Sequence, residues 1–90
     1  MKKFYIYILK CEDSYLYIGI TNSLQRRLLQ HQVGQCKLTK NRGKIKLVYC
    51  QEFSSRSYAA VKEKEIKGWR REKKDELIKK FTLNPERSKG

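Results

Sequence analysis

Two short segments near the amino terminus alternate in the way that β-strands do. Residues 4–9 and 15–21 are rich in tyrosine and isoleucine, and aromatic and β-branched residues of this kind favour strands. Residues 11–14 lie between them and include Glu, Asp and Ser, of which Asp and Ser are common in turns. The pattern predicts an antiparallel β-hairpin.

A short amphipathic helix should follow the hairpin. Asn22 or Ser23 can cap its first turn, Leu24 and Leu28 share one face, and Gly34 is a natural stop. Residues 35–43 are polar and basic without an apolar period, which predicts a loop. Residues 45–53 predict a third strand.

From residue 57 onward the hydrophobic residues recur at helical spacing. We predict a helix through Lys67, an interruption at Gly68, and a second helix from residue 69 or 70 to 81. After Lys62 the basic residues alternate with carboxylates, which is typical of solvated helices, so we interpret this half mostly as scaffold.

The order β, β, α, β, α, α predicts an α+β fold, a small three-stranded and mostly antiparallel sheet flanked by helices. We expect one domain over residues 1–85. Asn84-Pro85 should end regular structure, and residues 86–90 should form a loose tail.

A large excess of positive charge points to a polyanionic partner. The 90 residues include 22 Lys and Arg against 9 Asp and Glu, a formal net charge of +13, and 39% of them are hydrophobic, which is enough for a folded domain. No acidic residue lies between Asp13 and Glu52, so a phosphate backbone could lie on this stretch without meeting a carboxylate. The nucleic-acid contacts that we expect from it are Arg26, Lys37, Lys40, Arg42 and Lys44.

Several other classes of protein do not fit the sequence. No apolar run approaches the about 20 residues of a membrane span, and the first apolar segment meets Lys10 too soon for a signal peptide. We therefore expect a cytoplasmic protein. The three cysteines, Cys11, Cys36 and Cys50, are widely spaced and accompanied by a single histidine, so we expect reduced thiols and neither a disulfide framework nor a structural zinc site.

Two tyrosines on the predicted hairpin are candidates for chemistry. Side chains on a strand repeat every two residues, so Tyr7 and Tyr17 project near each other if the hairpin pairs about its turn. The alternative is an aromatic cross-strand ladder that only fills a small core.

Arg27 and His31 are four residues apart and lie on the same side of the predicted helix. His31 lies beside the leucine stripe, at the edge of the core, and its cationic neighbours should favour the neutral imidazole, a proton acceptor. The alternative is a surface arginine beside a boundary histidine.

Glu63 and Glu65 are the candidate carboxylates of the next helix. By helical angle either of them could face the sheet, and the alternative for both is a solvated partner of Lys67 or Lys62. The spacing does not choose between them.

Several short motifs follow one another in a set order along the chain. They are a Tyr-Ile-Tyr triplet, a Tyr-Ile-Gly triplet and three single residues: Tyr5-Ile6-Tyr7, Tyr17-Ile18-Gly19, Thr21, Arg27 and His31. This series resembles the GIY-YIG nuclease domain. The match continues at Leu47-Val48-Tyr49, Glu63-Lys64-Glu65-Ile66-Lys67 and Leu83-Asn84-Pro85-Glu86, and this set looks like the small stand-alone bacterial YhbQ-like (UPF0213) branch. The first triplet has Tyr5 where the family has Gly, but the residue expected to be functional is the third, Tyr7.

The resemblance implies a metal-dependent phosphodiester hydrolase. Family members hold one divalent ion on a single glutamate three positions before an Ile-Lys pair, which selects Glu63 as the ligand of Mg²⁺ or Mn²⁺. Arg27 would hold the scissile phosphate, and Tyr17 would orient the water or bond the phosphate. Tyr7 or His31 would take the proton from water. The ordinary pKa values, about 10 for a phenol and about 6.5 for an imidazole, favour His31, whereas the family favours Tyr7, and the choice stays open.

The expected function is a DNA endonuclease that selects structure in repair or recombination, because the chain has no room for a separate DNA-reading module. The alternative is a non-catalytic nucleic-acid-binding or repair-partner module that keeps the fold. A role on RNA is a third hypothesis, and Asn84 is a candidate for the late asparagine of the family.

Overall fold

The computed structural model describes residues 3–83 and has the predicted order of strands and helices. The elements are β1 (Phe4–Cys11), β2 (Leu16–Thr21), α1 (Leu24–Gln32), β3 (Ile45–Phe53), α2 (Arg56–Lys67) and α3 (Arg71–Leu83). The strands form one sheet in the order β2-β1-β3 with both pairs antiparallel. The predicted fold class is confirmed. Asn84, Pro85 and the tail lie outside the described residues.

The register of the sheet decides which side chains share a face. Tyr7 lies opposite Gly19, and Ile8 lies opposite Ile18. Directly opposed residues point to the same side of a sheet, and side chains alternate along a strand. Tyr7, Gly19 and Tyr17 therefore lie on one face, which we call the tyrosine face, and Ile8 and Ile18 lie on the other.

The helices α2 and α3 cover the isoleucine face. Ala59 and Ile66 of α2 are fully buried in a cluster with Ile8. Phe81 of α3 packs edge-on against Tyr49 of β3, with 5.5 Å between the ring centroids. Full burial of a large apolar side chain is worth about 1.5–3 kcal/mol, so this cluster holds α2 firmly against the sheet. That position matters because α2 carries Glu63.

Serine caps set where two helices begin. Ser23 accepts a hydrogen bond from the amide of Arg26 at 3.4 Å, and Ser55 accepts one from the amide of Ser57 at 3.1 Å. Because Ser55 is the cap, α2 begins one residue earlier than predicted. The predicted stop of α1 is confirmed by Gly34, whose φ of 80° is left-handed.

The basic loop between α1 and β3 is tied to the turn between β1 and β2. Arg42 forms an ion pair with Asp13 at 2.9 Å and lies over the ring of Tyr15. Glu12 accepts a hydrogen bond from the amide of Lys44 at 3.3 Å. The stretch without acidic residues in the sequence therefore has carboxylates beside it in space. Among residues 3–83, none of the helices is long and apolar enough to cross a membrane.

Candidate active site

A cleft of about 520 Å³ runs along β2, the edge strand beside β1. Residues of β2 from both of its faces line the cleft, so it reaches from the tyrosine face around the sheet edge to α2. Its charged and phenolic lining groups include Tyr7, Tyr17, Arg27, Arg56, Glu63, Lys67 and Lys74. Four of the five predicted catalytic residues thus line one cleft, and the fifth, His31, lies beside Tyr7.

Tyr7 occupies its position because the residue opposite it has no side chain. A Cβ atom on Gly19 would lie 2.6 Å from the Tyr7 Oη and 2.7 Å from its Cζ. The phenol ring therefore lies directly across the backbone of β2. Only 1% of Tyr7 is exposed, so packing leaves this ring little freedom to move.

The Tyr7 hydroxyl is at the centre of a hydrogen-bond network. Arg27 Nε donates to Tyr7 Oη at 3.1 Å, and Tyr7 Oη lies 3.2 Å from His31 Nε2. The other ring nitrogen, His31 Nδ1, lies 2.9 Å from Thr39 Oγ1. Arg27 also donates from Nη1 to Gln30 Oε1 at 3.1 Å. The network joins α1, β1 and the basic loop.

Tyr17 completes an aromatic cluster around His31. Its ring centroid lies 6.0 Å from that of Tyr7 and 4.7 Å from that of His31. The imidazole is edge-on to both phenol rings. The rings pack together as the aromatic-ladder interpretation expects, and their catalytic role stays a prediction.

Burial controls the proton affinities of this cluster. It raises the pKa of Tyr7 to about 12, and the hydrogen bond from Arg27, which acts in the opposite direction, does not offset it. Burial, followed by the charge of Arg27, lowers the pKa of His31. At neutral pH the phenol is therefore protonated and the imidazole is neutral, so His31 can accept a proton and Tyr7 can donate one. The positive charge of Arg27 lowers the pKa of the Tyr7 phenol, but burial, which raises it, outweighs this effect.

Glu63 and Glu65, which helical spacing left equivalent, occupy different environments. Glu63 lines the cleft, its side chain is 21% exposed, and it pairs with Lys67 at 3.3 Å. Glu65 is exposed and pairs with Lys62 at 3.4 Å. Of the two carboxylates, Glu63 is the one that can act on a ligand in the cleft.

The carboxylate of Glu63 makes the cleft compatible with a hydrated hard cation. Residues 3–83 contain no group of three or more His, Cys, Asp or Glu side chains that could hold a metal ion. Glu63 offers a carboxylate oxygen, and a single carboxylate supplemented by water and phosphate oxygens suits Mg²⁺. His31 is unsuited to be a ligand, because both of its ring nitrogens already have partners.

A second cleft, of about 380 Å³, adjoins the first. The two share Arg27 and Arg56 in their linings, and the second also includes Arg26, a predicted nucleic-acid contact. Arg26 donates to Asn22 at 3.3 Å. Among residues 3–83, no carboxylate lines this second cleft, so the described lining suits phosphate and not a cation.

The other predicted nucleic-acid contacts lie on the basic loop, away from the first cleft. Lys37 borders a further hollow, of about 460 Å³, beside His31, and Lys40 and Lys44 are exposed. Arg42 is half-buried and paired with Asp13, so it helps to hold the loop in place. Phosphate binding by these four side chains stays a prediction.

Sequence reasoning missed the roles in the site of Thr39, Arg56, Lys67 and Lys74. Arg56 and Lys67 lie seven residues before and four residues after Glu63, which puts all three on one side of α2; that spacing could have identified them. Nothing in the sequence places Thr39 or Lys74, because their positions depend on how the loop and α3 fold back.

The chain is similar to several known proteins. Residues 3–76 match the GIY-YIG catalytic domain. A UPF0213 protein of Staphylococcus saprophyticus is 44% identical over 79 residues, which cover 87% of this chain and 96% of the relative. A UPF0213 protein of Haloquadratum walsbyi is 40% identical over 79 residues, which cover 87% and 89%.

Two structures solved by NMR are similar in fold as well as in sequence. The UPF0213 protein of Bacillus halodurans has a TM-score of 0.61 and 34% identity, with 97% of this chain and 93% of that chain covered. A protein of E. faecalis has a TM-score of 0.66 and 32% identity, with 93% and 91% covered.

Proposed function

Because the chain belongs to the GIY-YIG catalytic domain family, and within it to the UPF0213 proteins, we propose that it is a metal-dependent endonuclease. It hydrolyses DNA phosphodiesters and selects its substrates by structure, in repair or recombination. The observation that supports the proposal is the common cleft of Tyr7, Tyr17, Arg27 and Glu63.

Tyr7 and His31 act together as the proton acceptor. The water oxygen forms a bond to phosphorus while the bond from phosphorus to the leaving oxygen breaks. One water proton passes to Tyr7 Oη as the phenol proton passes to His31 Nε2, 3.2 Å away. Because the transfer is concerted, the pKa of about 12 at Tyr7 is no obstacle, since no free phenolate has to form.

Arg27 binds the scissile phosphate. A guanidinium has five N–H donors, and Arg27 uses one for Tyr7 and one for Gln30. The remaining donors can bond to phosphate oxygens and stabilise the charge that develops on them. The hydrogen bond to Tyr7 raises the pKa of Arg27, so the charge is permanent. Tyr17, in the same cleft, orients the water or bonds the phosphate.

Glu63 is the residue that would hold Mg²⁺ or Mn²⁺. Its carboxylate lies in the cleft and is partly exposed, and Lys67, its present partner, has an exposed ammonium that can move away. When bound, such an ion stabilises negative charge on the phosphate oxygens. No further protein ligand is required, because Mg²⁺ keeps much of its hydration.

The positive charge of the protein accounts for nucleic-acid binding that does not depend on the base sequence. A net charge of +13 attracts any phosphate backbone, and such contacts carry no sequence information. The second cleft adds arginines beside the first, and the described part of the chain contributes no carboxylate to it. Substrate selection then comes from which DNA strands can bend into the cleft at the edge of the β-sheet. This favours flaps, branches, nicks and single-stranded regions.

A matched pair of variants tests the proposal. Glu63→Gln and Glu65→Gln each remove one carboxylate from the same helix, but only Glu63 lines the cleft. Purified protein is incubated with labelled flap, branched, nicked and duplex DNA in Mg²⁺ or Mn²⁺. We expect cleavage of the non-duplex substrates, its loss in Glu63→Gln, and its retention in Glu65→Gln. Absence of cleavage on every substrate with either ion, or equal activity of the two variants, would contradict it.

A non-catalytic nucleic-acid-binding module is the second candidate, and one observation favours it. Glu63 is already paired with Lys67, so the carboxylate has a role in the fold without a metal ion. In that case the protein binds the same oligonucleotides without cutting them, and calorimetry detects no Mg²⁺ binding that Glu63→Gln removes.

A further inference from the structure

Thr39 is a buried polar residue that the proposed reaction does not yet use. It lies in the loop between α1 and β3, and only 1% of it is exposed. Its Oγ1 lies 2.9 Å from His31 Nδ1 and donates to the carbonyl of Cys36 at 3.4 Å. Buried hydroxyls are normally hydrogen-bonded, but this one is bonded to the imidazole that lies next to Tyr7.

We propose that Thr39 is a positioning residue that holds His31 in the tautomer with the proton on Nδ1, so that Nε2 is free to accept the proton of Tyr7. The inference rests on the proposed function, because the proton transfer is part of that reaction. The arrangement of hydrogen bonds that supports it does not depend on activity.

One assignment of the protons fits the donors and acceptors of the network. A neutral imidazole has one N–H and one acceptor nitrogen. Because the Thr39 hydroxyl donates to Cys36, its oxygen accepts from His31 Nδ1–H. The Tyr7 oxygen accepts from Arg27 Nε, so its own proton points to His31 Nε2. Every group then has a partner.

The opposite tautomer would block the reaction. With the proton on Nε2, His31 would donate to Tyr7, and the Tyr7 oxygen would face two N–H donors, one from His31 and one from Arg27. No lone pair on the imidazole would then be available to the phenol. The Thr39 hydroxyl would also have to turn from Cys36 toward Nδ1.

The same acceptor serves after the proton has moved. When Nε2 takes the phenol proton, His31 becomes an imidazolium with two N–H donors. Nδ1–H still donates to Thr39 Oγ1, and Nε2–H donates to Tyr7. No side chain has to rotate, so the site is organised for both states, as in sites where a fixed acceptor orients a catalytic histidine.

The imidazole can be observed without ambiguity, because His31 is the only histidine in the chain. The protein is prepared without a histidine tag and labelled with ¹⁵N-histidine, and the two ring nitrogens are measured by NMR at pH 7.5. We expect a protonated Nδ1 and an unprotonated Nε2. A protonated Nε2 in the parent protein would overturn the inference directly, and this needs neither a variant nor activity.

Three variants separate positioning from a merely structural role. Thr39→Val keeps the shape but removes the acceptor, Thr39→Ser keeps the oxygen, and Thr82→Val removes an exposed hydroxyl from α3 as a control. In Thr39→Val we expect the Nε2–H form to appear and cleavage to fall by roughly tenfold to a hundredfold. Thr39→Ser should restore both the tautomer and the rate.

The outcomes distinguish this inference from the proposed function. If Glu63→Gln abolishes cleavage but Thr39→Val leaves both the tautomer and the rate unchanged, the endonuclease stands and the role of Thr39 is wrong. If neither the parent protein nor any variant cleaves DNA, but Thr39→Val changes the tautomer of His31 and Thr39→Ser restores it, the positioning is supported and the proposed function fails.

Discussion

Replacing Gly19 by alanine is the most direct test of how the sheet positions Tyr7. The new Cβ would lie 2.6 Å from Tyr7 Oη, 2.7 Å from Cζ and 3.0 Å from Cε1. Carbon and oxygen atoms normally approach to about 3.5 Å, so the phenol has to move by about 1 Å. The hydrogen bonds to Arg27 and His31, now 3.1 and 3.2 Å, would then lengthen beyond their useful range.

Two effects of Gly19→Ala follow from that movement. Overpacking a buried position costs about 1–3 kcal/mol, which lowers the melting temperature by about 4–8 °C for each kcal/mol in a domain of this size. Displacement of a catalytic group by about 1 Å lowers the cleavage rate by about a hundredfold. Thermal unfolding by circular dichroism measures the first effect, and cleavage of flap DNA measures the second.

Gly68→Ala is the matched control. A Cβ there would lie 3.5 Å from the carbonyl of Glu65, an ordinary contact, and the φ of Gly68 is −82°, which alanine adopts freely. We expect Gly68→Ala to resemble the parent protein. If Gly19→Ala also unfolds at the parent temperature and cuts at the parent rate, the view that a missing side chain seats Tyr7 is refuted.

Three further predictions concern charge and pH. The pKa of His31 is lowered in the folded protein, so below about pH 6.5 the unfolded chain binds a proton that the folded chain does not. The free energy of unfolding should therefore fall as the pH falls. Urea unfolding at several pH values measures this pH dependence, and His31→Gln should remove it. Lys67→Gln removes the cation that competes for Glu63 and should tighten Mg²⁺ binding by up to about fivefold, measured by calorimetry. Arg56→Gln removes one of the two arginines common to both clefts and should reduce the salt dependence of single-strand binding by about 0.7 in log–log slope, measured by fluorescence anisotropy.

Each of these has a result that would count against it. Stability that rises as the pH falls from 6.5 would mean that His31 gains a proton on folding. Unchanged Mg²⁺ affinity in Lys67→Gln would show that Lys67 does not compete for the carboxylate. Lys79 is the control for Arg56, because it is an exposed lysine of α3 that lines neither cleft. An equal decrease of the salt-dependence slope in Lys79→Gln would mean that only the total charge determines binding.

The strands, the helices and their order could be read from the local pattern. Alternating Tyr and Ile specify strands whose two faces differ, and Ser23 and Gly34 bound α1 through contacts within a few residues. These are short-range effects, so the sequence contains all the information that they need. The pair of Arg27 and His31 on one helical face followed from the same local rule.

Helical angle alone did not choose between Glu63 and Glu65, and only the family resemblance selected Glu63, because the physical difference depends on contacts between elements that are distant in sequence. Both glutamates have plausible helical angles, but α2 is oriented by the burial of Ala59 and Ile66 against the sheet, and this rotation brings only Glu63 to the cleft. Packing of a whole helix against a sheet is a property of the assembled core, and no short window of sequence contains it.

The same reason explains why the electrostatics of the site could not be read along the chain. Residues between Asp13 and Glu52 form a stretch without carboxylates, yet the fold returns Arg42 to Asp13. Burial, which sets the proton affinities of Tyr7 and His31, is likewise known only once the chain has closed around them. Secondary structure depends on residues that are neighbours in sequence, whereas a hydrogen-bond network that moves a proton depends on residues that are neighbours in space. Here Thr39 is part of that network although it lies in a loop that has no recognisable motif.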